Sequence, residues 1–125
     1  MRVDHVALEV ADFDTRIAML ERLGMRVQRI GRKLDDPNRR IAMVGDGSGF
    51  KLELIEADTD GHSHIAFYAD DLERTFAELT ADDGGFAPVR EPARLVPAKG
   101  DTAVVVEPGG LRIQLIRYDD DSTDL

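Results

Sequence analysis

Two histidines, a glutamate and a glutamine occupy matching places in the two halves of this 125-residue chain. Laying Asp4-His5-Val6-Ala7 over Ser63-His64-Ile65-Ala66 uses an offset of 59 (64 minus 5), and Leu52-Glu53-Leu54 lies over Ile113-Gln114-Leu115 at an offset of 61 (114 minus 53). Each polar residue interrupts an apolar, β-branched run, the pattern of a strand whose successive side chains face opposite ways. On that parity His5 shares a face with Ala7 and Glu9, away from Val6, Leu8 and Val10. Glu53 shares one with Lys51 and Ile55, away from Leu52, Leu54 and Glu56. His64 with Ala66, and Gln114, repeat the arrangement. Two neutral imidazoles and a carboxylate suit a divalent Zn, Ni, Mn or Fe(II) ion, and an amide oxygen completes the set with positions open to water. His5, Glu53, His64 and Gln114 are therefore the expected metal ligands.

Four further residues are candidates for substrate contact. His62 lies two before His64 on the same face, where it replaces or supports a ligand or simply faces solvent. Glu9 is either a second acid or base or a strand-end carboxylate in water. Lys51 and Arg112 are repeat partners, each one same-face step from Glu53 or Gln114; they either clamp an anionic substrate group or pair with Glu9 or Asp46 at the rim. Phe67 and Tyr68 are expected to pack.

The elements that must position these groups also come in duplicate. The offset of 59 matches Asp12 with Asp71, Ala18 with Ala77 and Leu20 with Leu79, so the chain is a tandem repeat. In the first half the pattern predicts a strand over 2–10, then a helix capped by Asp12 or Asp14 and stopped at Gly24. Strands over 25–30, 40–44 and 50–56 follow. The second half predicts strands over 63–69, 86–90, 102–107 and 111–117, and a helix over 72–81. The expected fold is α+β, with two tandem βαβββ modules (1–57 and 62–118) forming a curled mixed sheet around a central cleft. The linker 57–61 is too short to separate them, so together they make one domain. Segments 31–38 and 91–101 carry Pro and charge and are expected to be lids or solvated connections, and the acidic tail 119–125 to fray.

Composition limits what such a site can serve. The chain carries 25 acids against 16 bases, a net charge of -9 and a pI near 4.7, which repels phosphate backbones and anionic lipid. No nucleic acid and no membrane partner is expected, and the acidic surface suits high salt. With no cysteine, disulfide and thiolate chemistry are excluded. No apolar run approaches the ~20 residues that span a bilayer, and no leader opens the chain, so a cytoplasmic protein is expected.

The βαβββ duplication, the openings His5-Val6-Ala7 and His64-Ile65-Ala66, and the closings Leu52-Glu53-Leu54 and Ile113-Gln114-Leu115 together resemble the vicinal oxygen chelate superfamily over about residues 1–118. That family holds glyoxalase I, methylmalonyl-CoA epimerase, extradiol dioxygenases and the bleomycin- and fosfomycin-resistance proteins. The resemblance implies metal ligands on the first and last strand of each module, the same four residues that parity selects. It implies a glyoxalase I-like, metal-dependent lyase or isomerase acting on a small oxygen-chelating substrate by proton transfer, and a homodimer. Glyoxalase I usually carries Glu where this chain has Gln114, and an amide has no usable pKa, so Glu53 takes the role of base. The alternatives implied are a metal-free drug-binding protein of the bleomycin-resistance type and, third, an acyl-CoA epimerase or ring-cleaving dioxygenase.

Overall fold

Alternating apolar residues give each half a sheet with one face to bury, and an amphipathic helix covers it. The computed structural model describes residues 1–125 and runs β1 (Val3–Val10), α1 (Phe13–Arg22), β2 (Arg26–Lys33), β3 (Asp36–Gly45), β4 (Lys51–Glu56), β5 (Gly61–Tyr68), α2 (Leu72–Thr80), β6 (Ala87–Leu95), β7 (Gly100–Val106) and β8 (Arg112–Tyr118). This is βαβββ twice, an α+β fold. Residues 5–63 with Asp124 form one compact unit, and residues 1–4, 64–123 and 125 form the other.

In the first unit the strand order is β2-β3-β4-β1. β1 and β4 are parallel, while β3 runs antiparallel to both β4 and β2. Its core is Val10, Phe13, Ile17, Ala42, Val44 and Leu54, the helix-side parity of the three strands plus the inner stripe of α1. In the second unit the order is β5-β8-β7-β6, again mixed, with β5 parallel to β8. Its helix-side core is Ala69, Leu72, Ala103 and Leu115, with Phe67 packed against it, and Tyr68 packs on a second cluster with Ala66, Ala98, Ile116 and Tyr118. The aromatics Phe67 and Tyr68 therefore pack, as expected. Leu72 is fully buried. Leu72→Ala should cost about 2–5 kcal/mol through lost transfer energy and the cavity left behind, read as a lower denaturant midpoint at unchanged slope.

Three expectations from the sequence need correction. The segments 31–38 and 91–101 are largely strand: β2 and β3 pair out to Lys33 with Asp36, and β6 runs on to Leu95 opposite Gly100. In both segments charged residues form hairpin strands whose faces need no apolar alternation. Asp12 stands at the helix N-terminus but in the left-handed region (φ 53°, ψ 54°) and makes no capping bond, whereas its counterpart Asp71 accepts from the Arg74 amide at 3.3 Å. Asp14 instead receives Arg40. Finally, the tail is not frayed: Ser122 and Asp124 are buried, and the Ser122 hydroxyl donates to the Ala98 carbonyl at 2.5 Å.

Arg40 also holds Glu56, through guanidinium bonds to both carboxylate oxygens and a main-chain N–H at 3.0 Å. These bonds pull the Glu56 carboxyl down from 4.5 to about 2. A depressed carboxyl contributes stability that is fully present above its unfolded pKa and is lost as pH falls through the folded one. The window here runs from 4.5 down to about 2. Glu56→Gln should therefore flatten the acid limb of the stability profile in that window, measured by denaturant titrations at stepped pH.

Candidate metal centre

The first unit presents its polar face through strict register. Ala7 pairs with Glu53, Glu53 with Met43 and Met43 with Arg29, so these four side chains form one row across the sheet on the face away from α1. The next same-face row is His5, Lys51 and Gly45. His5 is 1% exposed, and its Nε2 lies 3.9 Å from Glu53 Oε2. That exceeds hydrogen-bond length. Two donors each about 2.0–2.2 Å from one ion can stand up to about 4.2 Å apart, so the pair fits around a common cation.

The second unit repeats the row. Ala66 pairs with Gln114, Gln114 with Val104 and Val104 with Arg90, all displaced by 59 or 61 from Ala7, Glu53, Met43 and Arg29. Both units carry a bulge just before the arginine, at Val27/Arg29 and at Pro88/Arg90, so the duplication reaches even the irregularities. His64 is half-buried on β5, two residues before Ala66 and on its face.

Thr102 fixes which way the Gln114 amide points. The Thr102 hydroxyl donates to the Leu115 carbonyl at 3.1 Å, which uses its one hydrogen. It can only accept from Gln114, whose Nε2–H donates to it at 2.8 Å. The amide oxygen is thereby turned the other way, buried and without a hydrogen-bonding partner. An unsatisfied buried acceptor costs about 1–3 kcal/mol, and a cation removes that cost. The donor set and this oriented oxygen fit a divalent ion. His5, Glu53 and His64 each offer a ligand atom that could hold a metal ion. Thr102→Val should keep the fold but release the amide, lowering metal affinity about 10–100-fold in a metal titration.

The remaining candidates separate. His62 and Arg112 are exposed. Lys51 is not a rim residue: it is 2% exposed and its Nζ donates to the main-chain carbonyl of Asp124 rather than pairing with Glu9 or Asp46. Asp46 accepts instead from Ser48 in its own turn. Glu9 borders a charged cleft of about 330 Å³ with Lys33, Arg39, Ile55 and Asp58. Sequence reasoning missed Thr102, Arg29 and Asp124. Thr102 carried a signal, since its repeat partner is the apolar Ile41 at an offset of 61 (102 minus 41); a short bulge and a tail contact leave none.

Comparison with known proteins places the chain. Residues 4–105 match the model of the glyoxalase/bleomycin resistance protein/dioxygenase superfamily. No curated protein sequence is similar enough to count as a relative. Among solved structures, the methylmalonyl-CoA epimerase of Mycobacterium tuberculosis is 25% identical with a TM-score of 0.78, covering 94% of this chain and 87% of the other. The Streptomyces coelicolor methylmalonyl-CoA epimerase, solved with 2-nitronate-propionyl-CoA, is 19% identical at 0.77 over 98% and 97%. A hypothetical protein from Bacillus halodurans is 17% identical at 0.75 over 97% and 96%, and like the Streptomyces enzyme it shares the fold. No helix is long and apolar enough to cross a membrane.

Proposed function

The chain belongs to the glyoxalase/bleomycin resistance protein/dioxygenase superfamily, and on that premise we propose that it is a metal-dependent lyase or isomerase that moves a proton on a small substrate presenting two adjacent oxygens. His5, Glu53, His64 and Gln114 are its ligand set and Glu53 is its base. The observation that carries this reading is the Gln114 amide oxygen, buried, oriented by Thr102 and lacking a donor. Members of this superfamily typically take a divalent metal, which supplies positive charge beside the substrate oxygens and so acidifies the neighbouring C–H bond.

The other roles fall to side chains. Two imidazoles and an amide bind through their lone pairs as neutral groups, which leaves Glu53, with its second carboxylate oxygen, as the member of the set able to accept a proton from substrate. A single base returns a proton to the face from which it took it. That suits transfer between neighbouring carbons, as in a glyoxalase I-like lyase, whereas inversion at one carbon needs a second acid on the opposite face. The likeness to the M. tuberculosis epimerase favours a second reading, inversion of an acyl-CoA. The acid nearest to Glu53 along β1 on the same sheet face is Glu9, in register with Ile55. A metal-free drug-binding module would want an aromatic cleft, and the chain has no Trp.

Proton NMR in D2O separates the readings. The metal-loaded protein is given a 2-oxoaldehyde hemithioacetal and, separately, a 2-methyl-branched acyl-CoA. Conversion of the hemithioacetal with the proton carried to the adjacent carbon is the expected result. Exchange at the acyl-CoA α-carbon alone selects the epimerase reading, and turnover of neither contradicts the proposal.

A further inference from the structure

Arg29 and Lys51 are an unusual pair to find on the polar face of the first unit. Arg29 lies in the same row as Glu53, and Lys51 is two residues from Glu53 on the same strand. Both are engaged by one residue, Asp124, which is 1% exposed although it sits in an acidic segment of a chain with net charge -9. Arg29 Nε and Nη2 donate to the two Asp124 carboxylate oxygens at 2.7 and 2.9 Å, a bidentate, charge-assisted grip. Lys51 Nζ donates to the main-chain carbonyl of the same residue. The duplication supplies the contrast. Arg90, at the equivalent position of the second unit (90 minus 29 is 61), is exposed. The two modules thus carry the same arginine, and one of them is capped.

We infer that Arg29 and Lys51 form a binding site for the anionic end of the substrate and that Asp124 fills it as an internal stand-in. The stand-in also defines the ligand. From the carboxylate gripped by Arg29 to the carbonyl gripped by Lys51, Asp124 offers a carboxylate, two saturated carbons and a carbonyl. A C4 dicarboxylate or a 4-oxo acid has that skeleton, and a malonate-length acid is one carbon short. Such a ligand displaces Asp124 and lies beside His5 and Glu53, the register neighbours of Lys51 and Met43. Because only molecules with Asp124 withdrawn are competent, apparent affinity in the wild type falls by the competent fraction.

This inference rests on the proposed function for what lies beside the site, but its test does not. Succinate binding is measured by calorimetry on protein stripped of metal and desalted, so a failure to bind metal leaves the result unaffected. Asp124→Ala should bind succinate at least about tenfold more tightly than the wild type. It should prefer succinate over malonate and lose binding when Arg29→Ala is added. Arg90→Ala should bind as the wild type does. Circular dichroism checks the fold, and Asp124→Asn, which keeps shape and carbonyl but drops the charge, serves if the alanine variant unfolds. Should succinate bind neither Asp124 variant more tightly than wild type, or bind the Arg29→Ala double variant equally well, Asp124 is a structural tie and the inference is overturned.

Discussion

Glu53→Gln should lower turnover by about 10²- to 10⁴-fold, the range that a positioned base contributes, with circular dichroism and the unfolding midpoint close to wild type. The substitution is nearly isosteric and keeps an oxygen that can still ligate. What it removes is the one group with a second basic oxygen left for a proton once two imidazole lone pairs and an amide oxygen are engaged as ligands. Glu53 is not part of the helix-side core; its row is Ala7, Met43 and Arg29, on the face away from α1. Steady-state kinetics on the converted substrate reads the effect. A variant within threefold of wild type would remove Glu53 from the chemistry.

His5→Ala should abolish tight metal binding, a larger loss than the roughly 10–100-fold that an outer partner such as Thr102 is worth. A ligand that binds only the folded protein stabilises it by about 2.7 kcal/mol at a hundred times its dissociation constant. Wild type should therefore melt higher with added divalent metal, and His5→Ala should show the same melting temperature with and without it. His5 is 1% exposed, so the variant also loses packing and starts lower. The diagnostic is the response to metal, which a purely structural role for His5 would leave intact.

The positions of His5, Glu53, His64 and Gln114 were legible because strand parity and duplication are both written in the order of residues, and each polar group broke an apolar run. Register pairing then follows the same arithmetic: Ala7 opposite Glu53 and Ala66 opposite Gln114 repeat at the offsets of 59 and 61. The hairpin tip at 33–36 and the extension of β6 to Leu95 were hidden, because charged, Pro-containing strands do not alternate in hydropathy. Asp124 was hidden for a different reason. An aspartate five residues after Asp119 in an acidic run looks solvated, but the bidentate grip of Arg29, beside a bulge at Gln28, and the Lys51 ammonium on its carbonyl hold it inside. Thr102 sits between these cases, since parity gives its face but not the hydrogen bond that turns the Gln114 amide.

We propose that His5, Glu53, His64 and Gln114 hold one ion. Metal content per chain, measured by mass spectrometry after equilibration with Zn, Ni, Mn or Co and removal of free ion, tests it most directly. One ion per chain in the wild type, lost on alanine substitution at His5, Glu53, His64 or Gln114 alike, is the predicted result. A folded wild type that retains no metal, or retention untouched by all four substitutions, would contradict it.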